Sequence, residues 1–465
     1  MTAGGPAPPS PTGAAAARGV RDDTGPRTAW LLAPVAALAA WVAALGVDVV
    51  FGDELHYVTL IRAFREGGDW WTHLWLQHNE HRVVPLKLLI LTGVELTHWD
   101  QRVEMLCSVA LTAVLVIVLL RLHRDAWSDP GLARPLAAWP LVLLACSLAQ
   151  YENQLYGLMV VHYFTAVGAV LAFHLLAREE WWSTVVAAFA AMVAASSLAN
   201  GLLVFPLGLV VLAGKRRPAW RWIFWAVAGI ATTLLCLRHY DRPPHVRPFE
   251  WTPVGLLKVW KLVLCTTGAP LGAGSPYWAL VLGAAVWAVA VLLLWCWWRA
   301  VPAARAGAAS ATAILLFGLG SSAMVGVGRA FLVAPGNPVQ PRYITHANFA
   351  WYGVLLLLPL LAGTRLFATL RTATNVVLAL GLLAANVYGA RAALEWHQDR
   401  LVDQYVTQTY RRQPDAVLVR LGPPQIVRER LAYLEKARLS AFSEPIRSYE
   451  PPGSYEPPGR HDQAR

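Results

Sequence analysis

The chain has 465 residues, of which 56% are hydrophobic and only 14% are charged, and its mean hydropathy is +0.44. This composition excludes an ordinary water-soluble domain. The formal net charge is +11, but the Lys and Arg residues lie in short clusters between apolar runs, a pattern typical of membrane orientation and not of a nucleic-acid-binding face. The five cysteines show no ligand spacing, so we predict neither a metal site nor a disulfide framework.

The first part of the chain predicts a tail followed by a membrane anchor. Residues 1–27 are rich in Ala, Gly and Pro and lack aromatic residues, so we expect a disordered N-terminal tail. Residues 28–51 form the first apolar run. Because many similar runs follow, this run indicates a retained anchor and not a cleaved signal.

A long polar segment, residues 52–102, is predicted to form the first outer loop. Its second half contains an apolar run from Val83 to Trp99 that is interrupted by Lys87 and Glu95. A spanning helix needs about 20 mostly apolar residues. We therefore expect this run to form an interfacial or re-entrant helix.

Ten further apolar runs follow and predict an all-α polytopic transmembrane bundle of about eleven spans in a lipid bilayer. These runs are Val103 to Leu122, Leu136 to Ala149, Leu155 to Ala177, Trp181 to Leu198, Leu202 to Ala213, Trp220 to Leu237, Tyr277 to Trp298, Ala309 to Val325, Phe349 to Ala362 and Thr374 to Ala393.

Loop charges predict a cytoplasmic N-terminus and an extracytoplasmic C-terminus, since Lys and Arg concentrate in cytoplasmic loops. The loops assigned to the inside carry Arg121, Arg124, Arg134, Lys215, Arg216, Arg217, Arg221, Arg299, Arg305, Arg365 and Arg371. Two segments oppose the assignment: the loop at Arg178 is not basic, and the basic stretch from Arg238 to Lys261 falls outside. That stretch either meets an anionic lipid headgroup or marks an error in the assigned topology.

The chain becomes polar after the last span. Residues 394–447 predict a short extracytoplasmic segment with one amphipathic helix, because Val427, Leu431 and Leu434 recur at helical spacing. Residues 448–465 repeat SYEPPG, and such a proline-rich repeat predicts a disordered tail.

Polar residues of unusual type collect in the first outer loop. Asp53 and Glu54 follow the first span directly, and the segment QHNEHR adds His78, Asn79, Glu80, His81 and Arg82. Charges at a membrane boundary are costly to bury, so such a cluster indicates a partner or a function. The alternative for Asp53 and Glu54 is that they simply mark where the helix enters water.

Two later segments add polar groups on the predicted outer face. Glu152 and Asn153 belong to YENQLYG at a helix junction, where the segment either contacts a substrate or forms a polar clamp between helices through Asn153 and Gln154. Arg329, and Arg342 followed by Tyr343, lie around the last large outer loop. Guanidinium groups suit a phosphate because they offer paired donors and stay charged; the alternative is a snorkelling interfacial arginine.

These motifs together resemble the GT-C superfamily of membrane glycosyltransferases. An acidic pair or single carboxylate follows the first span in that superfamily, as Asp53 and Glu54 do here, and interfacial helices follow, resembling Glu54 to Glu66 and Val83 to Trp99. The Arg342–Tyr343 step before a span is similar to bacterial members. The resemblance covers most of a membrane domain at residues 28–393, although a sizeable folded domain after the last span is lacking.

The resemblance implies transfer of a sugar from a polyprenyl-phosphate carrier to an extracytoplasmic acceptor, with inversion at the anomeric carbon, in a bacterial-type plasma membrane. Asp53 would accept the acceptor proton, with Glu54 in support, and Arg342 would stabilise the departing phosphate, assisted by Arg329 or Arg82. His78 and His81 would bind the phosphate or orient the carboxylate. No cofactor is implied, and metal dependence differs among members.

Other classes compete with this hypothesis. A transporter or flippase of a lipid-linked or polar solute would also have many spans, but it tends to show inverted repeats and charges near the midplane. An O-antigen polymerase or ligase type of enzyme usually carries its largest outer loop later in the chain. The sequence leaves the sugar, the acceptor (a glycan, lipid or protein of the cell envelope) and the carrier length open.

Overall fold

The computed structural model describes residues 30–126, 133–244, 247–332, 339–361 and 365–443. Every regular element within these ranges is a helix, as the apolar periodicity predicts. The predicted disordered tails, residues 1–27 and 448–465, lie outside the described residues.

The helices fall into three groups along the chain. The first apolar helix and the three short helices of the first loop are α1 (Ala33–Leu45), α2 (Val58–Arg65), α3 (Trp70–Trp75) and α4 (Val84–Leu96). The bundle continues with α5 (Gln101–Ala126), α6 (Ala133–Ala145), α7 (Tyr151–Gln154), α8 (Val160–Leu176), α9 (Trp181–Ser197), α10 (Val204–Gly214), α11 (Ala219–Leu237), α12 (Pro253–Gly268), α13 (Pro276–Arg299), α14 (Pro302–Arg329) and α15 (Ile344–Leu357). The chain ends with α16 (Arg365–Gln408), α17 (Asp415–Leu418) and α18 (Pro424–Ala437).

Eight helical segments in the described part of the chain are long and apolar enough to cross a membrane. Seven coincide with predicted spans, and the eighth, Pro253–Leu271, was not among them. The other predicted spans appear as shorter apolar helices: α1, α6, α9 and α10. A multi-pass helical membrane protein is thus confirmed, while the count of about eleven spans stays a prediction.

The centre of the bundle is built from α8, α14 and α15. In the segment Pro341–Leu361, which contains α15, 89% of the residues in the most apolar 18-residue stretch are buried inside the bundle. The corresponding share in α13 is 28%. Gly318 of α14 lies so close to α15 that a Cβ would stand 2.1 Å from the backbone nitrogen of Ala350. Small residues at such a crossing allow the two backbones to approach closely. Close packing stabilises helix pairs in a membrane, where the hydrophobic effect does not drive helices together because lipid tails are as apolar as the side chains.

The unpredicted helix α12 contains the last two basic residues of the stretch from Arg238 to Lys261, namely Lys258 and Lys261. Lys258 lies in its first turns, 3.8 Å from Glu250 and over the ring of Phe331 just beyond the end of α14. At the other end of α12, Gly274 packs on Tyr388 of α16. From Pro253 onward this stretch is therefore a helix and not a loop, and its position relative to the membrane stays a prediction.

The first-loop helices and the C-terminal segment form one packed cap. Val427, Leu431 and Leu434 of α18 are buried against Leu55 and Ile61 of the first loop. The predicted amphipathic helix is therefore present, with the predicted face inward. A segment of mostly polar composition is ordered here because its few apolar side chains share a core with the loop that follows α1.

A buried carboxylate, Asp48, joins this cap to the bundle. Its Oδ1 accepts hydrogen bonds from the backbone N–H of Gln101 and from the hydroxyl of Ser440, both at 3.0 Å. Gln404 of α16 donates to the Asp48 carbonyl at 3.1 Å. Three distant parts of the chain thus converge on the residues just after α1.

We predict that Asp48 makes stability fall as pH rises. Burial raises the pKa of Asp48 from 3.8 to about 7, so the folded state holds a proton that the unfolded chain has lost. The contribution is complete below about pH 4 and is lost as pH rises through about 7, an effect of roughly 4 kcal/mol. In Asp48→Asn, thermal unfolding in nanodiscs should depend less on pH between about 4 and 7 than in the wild type.

Asp69→Asn is the matched control, since Asp69 is fully exposed and the pKa of its carboxyl is lowered by Thr72. Its unfolding profile over the same pH range should follow the wild type. Equal pH slopes for wild type and Asp48→Asn would contradict the assignment.

Candidate functional site

One cavity of about 420 Å³ lies where the first loop meets the ends of α11 and α14 and the start of α15. Hydrophobic side chains supply most of its walls, and polar groups converge from both sides. Nine residues singled out in the sequence line it: Asp53, His78, Asn79, Glu80, His81, Arg82, Arg329, Arg342 and Tyr343. Glu54, Glu152 and Asn153 do not line it.

Asp53 presents its carboxylate to the cavity from a 3₁₀ turn, Gly52–Tyr57. Gly52 begins the turn at φ +56°, in the left-handed region that glycine occupies freely. The Asp53 side chain is 53% exposed and its Oδ2 lies 3.6 Å from Nε2 of His78. The interaction with His78 lowers the pKa of Asp53, and the charge of Arg342 acts in the same direction, so the group is a carboxylate at neutral pH.

Glu54, one residue later, points the opposite way. It is buried, and its carboxyl group accepts hydrogen bonds from the backbone N–H groups of Leu158 at 3.0 Å and Phe51 at 3.4 Å. Burial raises the pKa of Glu54 well above its ordinary value. From the sequence, Glu54 was predicted to act together with Asp53 as a catalytic group. In the structure the turn directs the two side chains apart. Glu54 instead bonds the first loop to the segment that leads into α8.

The QHNEHR segment folds into a tight turn whose side chains face the cavity. His78 and His81 exchange backbone hydrogen bonds of 2.8 and 2.9 Å, with Asn79 between them at φ +49°. Asparagine tolerates that left-handed conformation better than most residues. The turn is what brings His78, Glu80 and His81 to one wall.

Glu80 forms the strongest ion pair in the cavity, with Arg329 at the end of α14, at 2.8 Å. Burial works to raise the pKa of Glu80, but the interaction with the charged Arg329 contributes most to outweighing it, and the pKa is lowered. Burial lowers the pKa of His81 to about 4, so this ring is neutral near pH 7. Its Nδ1 accepts a hydrogen bond from the backbone N–H of Ala199 at 3.1 Å.

Arg82 is tied to backbone carbonyl groups. Its guanidinium donates to the carbonyl oxygens of Cys236 at 2.9 Å, Trp75 at 2.8 Å and Arg238. These bonds satisfy carbonyls at the ends of α3 and α11, which have no partner within their own helices. Although Arg82 lines the cavity, its main contacts hold the first loop against α11.

Arg342 is held from behind by the YENQLYG segment. Glu152 lies 3.3 Å from the guanidinium of Arg342. Asn153 donates to the carbonyl of Arg342 at 3.0 Å and to the hydroxyl of Thr345 at 2.8 Å, and that hydroxyl donates to Gln150 at 2.7 Å. Of the two readings of Glu152 and Asn153, the contacts match a polar clamp, which fixes the turn that carries Arg342 and Tyr343.

Several cavity residues were not predicted as site residues. His162 of α8 and His346 of α15 place their Nδ1 atoms 3.4 Å apart, and Asn200 donates to Ser321 of α14 at 3.0 Å. In the sequence, His162 lies inside a predicted span and Asn200 lies in the short gap between two predicted spans. The sequence contains one signal for His346. It follows the predicted site residue Tyr343 by three positions, which places both side chains on one face of a helix.

The arrangement combines one exposed carboxylate with two paired guanidinium groups in a partly apolar cavity. Each arginine offers five donors, of which a carboxylate partner uses at most two, so both keep donors for an anion. No group of three or more His, Cys, Asp or Glu side chains among the described residues is arranged to hold a metal ion. The cavity can therefore bind an anionic group beside a carboxylate that accepts a proton.

We predict that Glu54 acts through its hydrogen bonds and not through its charge. Glu54→Ala leaves the buried N–H of Leu158 without a partner and should lower stability by about 1–3 kcal/mol. Glu54→Gln keeps an acceptor and should lose less. Thermal unfolding in nanodiscs measures both. Glu66→Ala is the control, because Glu66 is half-exposed and forms a surface ion pair with Arg62; equal losses in all three variants would refute the assignment.

The comparisons with known proteins add no relative. No family model, curated protein or solved structure matches this chain. The GT-C resemblance therefore rests on the sequence motifs, and the geometry of the cavity is the structural observation that bears on function.

Proposed function

We propose that this protein is a GT-C-like membrane glycosyltransferase that moves a sugar from a polyprenyl-phosphate carrier to an extracytoplasmic acceptor, with inversion. The observation that carries the proposal is that Asp53, Arg329 and Arg342 line one cavity, although nearly 300 positions separate Asp53 from the arginines in the sequence. Had the carboxylate and the arginines lain apart, the two halves of the reaction would have had no common site.

Asp53 takes the acceptor proton. As the acceptor oxygen bonds to the anomeric carbon, its proton passes to the Asp53 carboxylate, which the lowered pKa keeps ionised. A carboxylate with a low pKa is a weak base. It suits a reaction with an oxocarbenium-like transition state, where the sugar–phosphate bond is largely broken before the proton moves.

Arg342 and Arg329 stabilise the leaving group. When the bond between the anomeric carbon and the phosphate oxygen breaks, its electron pair stays on that oxygen, and fixed positive charge favours the product. Glu152 and Glu80 hold the two guanidinium groups in place at 3.3 and 2.8 Å. Arginines oriented beforehand need little reorganisation as charge develops.

An apolar part of the cavity suits the carrier lipid. Leu237 of α11 and Met324 of α14 line the cavity and are 52% and 39% exposed. Side chains that face both a cavity and the surface of a membrane bundle offer a sideways path for an isoprenoid tail. This feature supports a lipid-linked donor over a wholly water-soluble one.

The topology proposed with this function keeps the cytoplasmic N-terminus and about eleven spans in a bacterial-type plasma membrane. The cavity and the cap formed by the first loop and the C-terminal segment then lie on the extracytoplasmic side.

We predict that Asp53→Asn abolishes transfer while leaving folding intact. Loss of a general base lowers turnover by about 10²–10⁴-fold, whereas an exposed side chain contributes little to stability. Membranes containing the protein would be incubated with radiolabelled polyprenyl-phosphate sugars and envelope acceptors. Asp69→Asn, in the same loop but outside the cavity, is the control and should keep its activity. Normal turnover by Asp53→Asn would remove Asp53 from its role.

We predict a different response from Arg342. Arg342→Gln removes positive charge from the leaving phosphate and should lower turnover by at least about tenfold. Arg342→Lys should recover part of the loss, because a point charge remains without the paired donors. Arg62→Gln, an exposed arginine outside the cavity, serves as the control. Unchanged turnover in Arg342→Gln, measured under the same conditions, would count against the phosphate assignment.

A further inference from the structure

The exposed face of α12 combines apolar side chains with two lysines. Leu257, Lys258 and Lys261 follow Val254 by three, four and seven positions, so the four residues share one face of the helix. Val254 and Leu257 are 63% and 68% exposed, and both lysines are exposed as well. Val259, on the opposite face, is buried. The helix therefore packs on the bundle with one side and presents a mixed apolar and basic surface on the other.

Exposed apolar surface on a helix of this kind indicates contact with lipid. The segment Pro253–Leu271 is long and apolar enough to cross a membrane. Trp251, just before the helix, and Trp260, within it, are 83% and 51% exposed. Indole rings are enriched where hydrocarbon meets headgroups. An apolar surface that also carries lysines suits the same boundary, where each kind of side chain finds its preferred surroundings.

The two lysines have little counter-charge within the protein. Lys261 forms no ion pair or hydrogen bond with any residue in the described part of the chain. Glu250 lies 3.8 Å from Lys258, but both side chains of this pair are about half-exposed, and such pairs contribute little to stability. An ammonium group beside hydrocarbon is costly unless a counter-ion or water replaces its hydration. The lysines can therefore accept an anion supplied from outside the protein.

A single headgroup can meet both lysines. Three residues of helix rise about 4.5 Å, and the positions of Lys258 and Lys261 differ by about 60° around the axis. Long lysine side chains extend along apolar surface toward polar headgroups, and an ammonium binds a phosphate as a point charge. A zwitterionic lipid carries its own ammonium group, which offsets its phosphate. This face therefore favours a lipid with net negative charge.

We propose that the exposed face of α12 binds an anionic phospholipid, with the phosphate near Lys258 and Lys261 and the acyl chains on the neighbouring apolar surface. Val254, Leu257 and the two lysines do not line the cavity, so this lipid site does not depend on the proposed sugar transfer. Lys258 also lies 5.7 Å from the centre of the Phe331 ring, which places the bound lipid next to the end of α14.

Crosslinking to photoactivatable lipids tests this inference. The full-length protein would be placed in nanodiscs of phosphatidylcholine containing a trace of photoreactive phosphatidylglycerol or photoreactive phosphatidylcholine, and the labelled positions would be located by peptide mass spectrometry. Residues 278–294 of α13 are the internal reference, because only 28% of the apolar stretch of this helix is buried and the range has no charged residue. The ratio of phosphatidylglycerol to phosphatidylcholine labelling on residues 250–264 should exceed the reference ratio by at least about threefold.

Single substitutions should move this ratio in opposite directions. Lys261→Gln should lower it by about threefold to fivefold, the contribution of one lysine at a membrane surface. Glu250→Gln should raise it, because Lys258 then loses its competing carboxylate. Arg391→Gln is the matched control, since this exposed arginine of α16 has a carboxylate partner, Glu395, at 3.2 Å. It changes the net charge as much as Lys261→Gln does and should leave the ratio unchanged.

Thermal unfolding in nanodiscs separates a lipid site from a structural role. The side chains of Lys258 and Lys261 are exposed, so the double variant Lys258→Gln/Lys261→Gln should unfold like the wild type in pure phosphatidylcholine. Phosphatidylglycerol should raise the unfolding midpoint of the wild type, because a ligand that binds only the folded state stabilises it. The increase should be smaller in the double variant.

Three results would overturn the lipid site. The first is an equal labelling ratio on residues 250–264 and on the reference range in the wild type, and the second is a high ratio that persists in the double variant. The third is an equal loss in Arg391→Gln, which indicates general attraction by net charge. Excess glycerol 1-phosphate should leave the ratio unchanged; displacement of the lipid by this probe would assign the two lysines to a soluble phosphate instead.

Discussion

The constraint that organises this structure is the cost of placing charge at the edge of a hydrocarbon layer. An arginine there is stable only if carboxylates, carbonyl groups or water replace its hydration. Arg329 is paired with Glu80, Arg342 with Glu152, and Arg82 with three carbonyl oxygens. Because the partners belong to different segments, each pair also fixes where the first loop and the ends of α11, α14 and α15 meet.

Because of these pairs, positive and negative charges around the cavity are nearly equal in number, but they are unevenly distributed. The two guanidinium groups each face a carboxylate on one side and retain donors on the other, whereas the carboxylate of Asp53 lies 3.6 Å from Nε2 of His78. A phosphate and a proton acceptor can thus act on the same substrate without neutralising each other. This division supports the proposed sugar transfer, since bond breaking and proton transfer occur at opposite sides of the anomeric carbon.

The cap gives this arrangement its rigidity. The turn that carries Asp53 is bonded to the C-terminal segment through the N–H of Gly52 and the carbonyl of Leu421 at 2.8 Å. Arg400 of α16 stacks over Phe51 at 4.1 Å and pairs with the buried Asp403 at 3.0 Å. Catalytic groups have to be held to within a fraction of an ångström, and a loop alone seldom achieves that. The C-terminal segment therefore stabilises the site without entering it.

The sequence by itself determined the helical membrane class, the amphipathic face of α18 and the residue types of the charged cluster. Hydrophobic length and helical periodicity are local properties, so they can be read along the chain. It did not determine that α12 is a continuous helix, that Glu54 faces away from Asp53, or that Arg82 caps other helices. The tertiary structure alone decided that His162 and His346 meet, because contacts between distant helices depend on packing angles and on close approach at glycines, which no local pattern encodes.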